Sequence, residues 1–392
     1  MTKQYIIILS VVLASVLCLN AQEYRTITDG VEYVRFTRQV RLNDTAQLPT
    51  IVYALRIDGM KAALRLVHAK DAAIGLETTS SLAKRYNALA AVNSGFFGMK
   101  GNLAGDAAGV LKIDGKLLSE PFKERAACAF SDRSGRMIAA FGNMKWRGEV
   151  LLGNAFYFSE SVLKILRPFH ALSGINHQRD STDLLLFTPE FHRTTLTNTE
   201  GLEIIVENGL VTSLRDSAGS TIIPANGFVL SCSGEARRWA KENVRAGMPL
   251  TIVSELEALN PQQTRRFRNA QHIVGGVSLL LTEGAITLTW QREGAAEDFA
   301  LSRHPRTAIG RMTDGRLLLV AVDGRQIGVS HGMTLQELAE LMKTLGATDA
   351  MNLDGGGSTT MVLQGAIVNK PSDATGERPV SDAILVFPRS KN

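Results

Sequence analysis

At 392 residues, with 45% of positions hydrophobic and 21% charged, the chain can bury a large core and lacks the compositional signature of disorder. Its length fits one large domain or two ordinary ones. The formal charge of +5 comes from basic residues scattered along the chain with no aromatic-interleaved block, which argues against nucleic acid as a ligand.

The N-terminus carries an export pattern. Lys3 is the only charge before Glu23, residues 5–19 are almost wholly apolar, and small Ala21 precedes polar Gln22. Cleavage is expected near Ala21, and loss of Lys3 takes the charge from +5 to +4. The apolar run is shorter than the roughly 20 residues of a membrane-spanning helix. No later segment is long and apolar enough to span, so the mature chain is expected in a periplasmic or extracellular space, without stable membrane insertion. Cys18 raises a lipoprotein alternative, but Leu17 is too large for the position before such a cysteine. Cys128 and Cys232 lie in small or apolar runs, a setting open to a disulfide or to two buried thiols.

In residues 51–68, Ile51, Tyr53, Leu55 and Ile57, then Ala62, Leu64 and Leu66, alternate around Asp58-Gly59. This predicts two antiparallel strands joined by a turn. A short helix capped by Thr79 or Ser80 should run to Tyr86, followed by a buried run at 88–92 that stops at Asn93-Ser94-Gly95. A hairpin around Asp114-Gly115 and short strands at 126–130 and 136–141 make residues 22–141 β-rich. Residues 142–268 read as a possible inserted subdomain, with strands near 183–187 and 202–206 and a helix at 235–244. His170, His177 and His192 have no metal-ligand spacing there. Residues 269–392 carry a strand at 273–281, another at 317–322, a capping box at Thr334 and Glu337, and a helix with Leu335, Leu338, Ala339, Leu341, Met342 and Leu345 on one face. Strand, capped helix and strand form a crossover, while most other connections are short hairpins. The expected fold class is α+β, with mixed, largely antiparallel sheets and a few flanking helices.

The most unusual stretch is 350–361, Ala-Met-Asn-Leu-Asp-Gly-Gly-Gly-Ser-Thr-Thr-Met. Gly355, Gly356 and Gly357 can curl their amides into an anion nest, with Ser358 and Thr359 hydroxyls beyond it and the Asp354 carboxylate beside it. A tight Asp-Gly hairpin before a strand reads equally well from these residues. Gly328-Val329-Ser330-His331-Gly332 has the spacing of a serine-hydrolase elbow, but Ser330 falls inside a loop rather than at a strand-to-helix turn. The glycine run lacks the lysine of a phosphate-binding P-loop. Asn93 with Gly95, Arg306 with Thr307, Asp323 with Gly324, and Asp354 with its glycines all lie at strand ends, where separate strands can converge. Glu377, Arg378 and Asp382 form a fifth polar group.

The runs Asn93-Ser94-Gly95-Phe96-Phe97, 305–310, 322–326 with 332–334, and 352–361, with 378–382 near the end, resemble the successive motifs of the phosphodiester glycosidase family. The resemblance covers roughly 51–387, with 142–268 poorly matched. Ser94 stands where that family usually has glycine or alanine, and Gly98 replaces a frequent acidic residue, which weakens any acid or metal role at that loop. What the resemblance implies is hydrolysis of a sugar-1-phosphodiester, N-acetylglucosamine-1-phosphodiester-like, at the anomeric carbon, in glycan or exopolysaccharide metabolism. Asp354 is then the expected nucleophile or base, with Asp323 or Glu377 as the second acid/base. Arg306 and the amides of Gly355 to Ser358 would clamp the phosphate. Asn93 would orient sugar hydroxyls, with Gly95, Thr307, Asn352, Thr359 and Arg378 completing the substrate site. No cofactor is expected, and a divalent ion stays open. Two alternatives are an exported, non-catalytic binder of phosphorylated glycans and a metal-dependent phosphodiesterase using Asp323, Asp354 and Asp382 as oxygen ligands.

Overall fold

The computed structural model describes residues 23–41, 47–153 and 169–389. The export pattern and Cys18 lie outside them.

An eight-stranded antiparallel sheet forms the centre, in the order Arg25–Thr28, Val31–Arg41, Gln47–Ile57, Leu317–Val322, Arg306–Met312, Ala347–Asn352, Leu279–Thr282, Ala285–Ile286. Its strand Leu317–Val322 is buried throughout because both faces are covered. Leu317, Leu319 and Ala321 point into the central core, and Leu318, Val320 and Val322 pack beneath the helix Leu335–Thr344. That helix begins at the predicted capping box: Thr334 Oγ1 accepts from Glu337 N at 3.1 Å, and Glu337 Oε2 accepts from Thr334 N at 2.9 Å. The central core is shared with a five-stranded sheet (Ala366–Ile367, Met361–Leu363, Ala90–Asn93, Asp382–Pro388, Ala62–His68) and with a seven-stranded one built on Ala126–Arg133 and Arg136–Leu152.

Residues 174–232 contribute a further five-stranded sheet. It contains the one parallel pair among the described residues, Gly174–Ile175 beside Leu184–Phe187. Its strands fill a core of their own with the helix Gly234–Asn243, while Leu185, Phe187 and Val229 turn into the central core. The strand Arg136–Leu152 runs unbroken through position 142.

The layout is more strongly β than an even α+β mixture, with antiparallel sheets and few helices. Two sequence expectations need correction. Gln47–Ile57 and Ala62–His68 do not pair with each other: the turn at 58–61 carries the chain from the eight-stranded to the five-stranded sheet. Residues 273–281 are likewise two strands, His272–Gly275 and Leu279–Thr282, in different sheets. Alternation reports which side chains are buried, not which neighbour supplies the hydrogen bonds.

Candidate active site

Three strand ends meet at one point. Asn93 closes Ala90–Asn93, Thr307 lies at the start of Arg306–Met312, and Ala347–Asn352 delivers Leu353 and Asp354. Asn93 Oδ1 accepts from Thr307 Oγ1 at 2.8 Å and from Thr360 N at 3.1 Å, and its Nδ2 donates to the Asp354 carbonyl at 2.7 Å. The amide of Asp354 donates to Ser94 O at 2.9 Å, and that of Leu353 to Thr307 O at 2.8 Å. Of the strand ends singled out in the sequence, those carrying Asn93, Thr307 and Asp354 therefore meet. Asn93, Thr307 and Thr359 are nevertheless buried, with Asn93 and Thr307 bonded to each other. Their bonds fix the loop. Asn352, also buried, donates from Nδ2 to Val277 O at 3.2 Å.

The expected anion nest is largely committed to the protein itself. The amides of Gly355, Gly356, Ser358 and Thr359 donate to Asp354 Oδ1, Pro305 O, Gly355 O and Gly356 O, respectively. The segment Gly356–Ser358 winds as a short 3-10 turn. Gly356 sits at φ +59°, where glycine carries no Cβ penalty. At Gly357, a Cβ would lie 2.1 Å from both Arg378 Nη2 and Asp373 Oδ1. The run thus gives the backbone room to pass beneath a guanidinium.

Charge gathers around this turn. Asp354 is partly buried, and lost hydration pushes its carboxyl up to about 7, against the lowering influence of Ser358, Arg378 and the Gly355 amide. Ser358 Oγ is close enough to favour the carboxylate yet is buried without a direct hydrogen-bond partner. Arg378 stands beside Gly357, paired with Asp373 at 2.7 and 3.0 Å. Exposed Arg325 stands beside Gly356, its Nη2 within 3.3 Å of where a Cβ there would be. Arg325 holds φ 60°, a backbone conformation that costs a bulky residue about 1–3 kcal/mol. Its guanidinium reaches to 3.5 Å from His304 Nδ1, while His304 Nε2 donates to Asp298 O at 3.2 Å. Burial and the neighbouring arginines lower the His304 pKa, consistent with a neutral ring accepting from Arg325.

Several expected site residues have other employment. Arg306 is 1% exposed; its Nε donates to Met333 O at 2.8 Å and its Nη2 to Phe299 O at 2.7 Å and Ser302 O at 3.2 Å. Burial lowers its proton affinity, but three carbonyls favour the charged guanidinium. Arg306 thus clamps Phe299, Ser302 and Met333, with its Nε and Nη2 committed to their carbonyls. Asp323, also 1% exposed, accepts from Tyr53 Oη at 2.9 Å, Asn369 Nδ2 at 3.2 Å and Lys370 N at 3.0 Å. Burial raises its pKa against those donors. Glu377 accepts from Ser80 N at 2.9 Å and from Ser80 Oγ, holding the first turn of the helix Thr79–Arg85. Asp382 accepts from Gly95 N at 2.6 Å and from the hydroxyls of Ser94 and Ser381. That contact employs Gly95 too. Asp323, Asp354 and Asp382 do not converge as ligands, and no group of three metal-binding side chains occurs among the described residues.

Sequence reasoning passed over Arg325, although it lies within a run singled out for its Asp-Gly turn. It also passed over Asp373 and Asn369, which carry no local signal: both matter through residues distant in sequence. Cys128 and Cys232 are buried free thiols in different sheets. A large open hollow, about 950 Å³, runs beside the helix Thr79–Arg85 between Ser80 and Gln364, and Asp354 does not line it.

Antiparallel sheets whose strand ends meet at Asp354, with Arg325 and Arg378 beside the glycines that follow it, define the class of this protein as a β-rich fold with a polar centre at that turn. Residues 200–387 match the family model of the phosphodiester glycosidases. Over 171 residues the chain is 30% identical to the mouse N-acetylglucosamine-1-phosphodiester alpha-N-acetylglucosaminidase, an alignment covering 41% of this chain and 32% of that enzyme. The chain thus spans about a third of that relative. A crystal structure of a Burkholderia pseudomallei protein, whose own description proposes that it is exported, superposes with a TM-score of 0.71 at 28% identity, covering 87% of this chain and 74% of that one. A hypothetical protein from Synechocystis shares the fold, with a TM-score of 0.77 at 24% identity over 94% of this chain and 64% of its own.

Proposed function

We propose that the chain is an exported hydrolase that cleaves a sugar-1-phosphodiester at the anomeric carbon, releasing the sugar and a phosphomonoester. The observation that carries this reading is the Asp354 carboxyl, pushed up to about 7, at a glycine turn flanked by Arg325 and Arg378. In this reaction the bond between C1 and the phosphate oxygen breaks, its electrons leave with the phosphomonoester, and water supplies the new oxygen at C1. The leaving group departs as a stabilised anion, so fixed positive charge matters more than a strong acid. Arg325 takes the clamping role once expected of Arg306: its fork is exposed beside the turn, whereas that of Arg306 is held by backbone carbonyls. Arg378, oriented by Asp373, adds a second guanidinium beside Gly357. Asp354 then acts on C1, as nucleophile or as base on water, since an oxocarbenium-like centre needs a carboxylate. The mouse relative's name specifies an N-acetylglucosamine-1-phosphodiester, and that substrate is the first to try.

Hydrolysis of N-acetylglucosamine-1-phosphodiester in oxygen-18 water tests the reading. Label in the sugar is the expected result. Label in the phosphate would assign attack at phosphorus and a phosphodiesterase, with chelator sensitivity then separating a metal-dependent route. Saturable binding without turnover would leave a glycan-binding protein. The export part of the proposal rests on the pattern before Gln22; a mature mass beginning near residue 22 in protein recovered from its host is the expected finding.

A further inference from the structure

Beyond the Asp354 centre lies a smaller cavity, about 150 Å³, lined by Asn102 and Leu103, by His177, Gln178 and Arg179, and by residues 195–198. By volume it has room for about five waters. Three separate chain segments meet there, and the structure behind it is tightly held. Glu203, 0% exposed, accepts from Thr195 Oγ1 at 2.8 Å, Thr197 Oγ1 at 2.5 Å and Thr221 N at 3.1 Å. Arg179 donates to Ser231 Oγ at 2.7 Å and to Asn198 O at 3.1 Å, and passes so close to residue 201 that a Cβ on Gly201 would lie 2.0 Å from its Nη1. Leu196, in the cavity wall, holds φ 53°, a strained conformation for a side chain of its size. Such strain persists only where the surroundings over-determine it.

The chemistry of the opening follows from what is already committed. Glu203 is saturated and Arg179 is bonded within the wall. His177 Nε2 stands 3.5 Å from Glu120 Oε1, so its charge has a carboxylate beside it when protonated. Burial raises the carboxyl of Asp106, on the loop just behind, to about 7. The exposed residues Asn102 and Gln178 add side-chain amides to the lining, each with a donor and an acceptor, beside the apolar surfaces of Leu103 and Leu196. Amides beside an apolar wall suit a hydroxyl-rich, uncharged ring better than a lipid tail.

The loop that lines the cavity also touches the first site: Met99 Sδ lies 3.8 Å from Arg378 Nη1, and Asn102 follows three residues later, a backbone span of at most about 11 Å beyond the Met99 side chain. We propose that this cavity is a neutral-sugar subsite, seating a second saccharide unit of a substrate whose phosphodiester lies at Arg378 and Asp354. Its role in substrate choice rests on the function proposed above, whereas its capacity to bind sugar does not.

The experiment is ligand-observed NMR on the wild-type chain with the methyl glycosides of glucose, galactose, mannose and N-acetylglucosamine. At least one should bind, and the double variant Asn102→Ala/Gln178→Ala should weaken it about tenfold, the loss of two modest hydrogen bonds. The same glycoside should bind Asp354→Asn unchanged. Both amide side chains are on exposed residues, and an unaltered melting temperature checks that the double variant is folded. If no glycoside binds, if the double variant binds as wild type, or if Asp354→Asn alone abolishes binding, the subsite is overturned. Glycoside binding is read without turnover, so a failure of the hydrolase reading and a failure of the subsite are separate results.

Discussion

Asn93 Nδ2 donates to the main-chain oxygen of Asp354 at 2.7 Å, tying the end of a five-stranded-sheet strand to the loop that leaves the eight-stranded sheet. The same side chain accepts from Thr307 and from the Thr360 amide, so one buried carboxamide holds three segments in register. Asn93→Ala leaves those partners without bonds. It should cost about 2–4 kcal/mol in denaturant unfolding and lower activity by misplacing Asp354.

Arg306 and Arg325 should separate stability from activity. Arg306→Lys cannot reach three carbonyls with one ammonium, so the melting temperature should fall, with a loss of about 2–4 kcal/mol. Arg325→Ala removes an exposed guanidinium and relieves no buried contact. Its melting temperature should stay near wild type while kcat/KM falls by about 2–4 kcal/mol of transition-state stabilisation. Unchanged kcat/KM in folded Arg325→Ala would remove it from the site.

Asp354 predicts a pH dependence with a definite sign. Its carboxyl ordinarily titrates at 3.8 and in the folded chain at about 7, so between those values the native state holds a proton that the unfolded state has lost. This group's contribution to stability therefore declines as pH rises from about 4 to about 7. Activity that needs the carboxylate rises through the upper end of the same window. In Asp354→Asn the stability decline should disappear, and turnover should fall by several orders of magnitude with the loop still folded. Chemical denaturation across pH, beside rate profiles, reads both effects.

Cys128 and Cys232 are buried, and burial raises both thiols well above the ordinary cysteine range. A maleimide should leave both unmodified in the native chain and label both in denaturant without reductant. Labelling only after reduction would show a disulfide in place of the two free thiols.

The sequence by itself determined the elements whose signals are local. The capping box at Thr334 and Glu337, the apolar face from Leu335 to Met342, the buried run Leu317–Val322 and the glycine turn after Asp354 depend on residues within a few positions of one another, and each is found where periodicity and capping put it. The strand ends that converge were legible too, because polar residues beside glycine at the end of an apolar run mark a turn. Tertiary structure alone decided which polar residue faces outward. Arg306 and Arg325 look alike in sequence, but one is closed in by the carbonyls of Phe299, Ser302 and Met333 and the other stands over Gly356. Asp323, Glu377 and Asp382 acquired structural roles from Tyr53, Ser80 and Ser94, partners roughly 270 to 300 positions away. Sheet membership was decided in the same way: a backbone hydrogen bond to a distant strand leaves no local mark, so the pairing of Gln47–Ile57 with Leu317–Val322 follows from the packed core rather than from either segment.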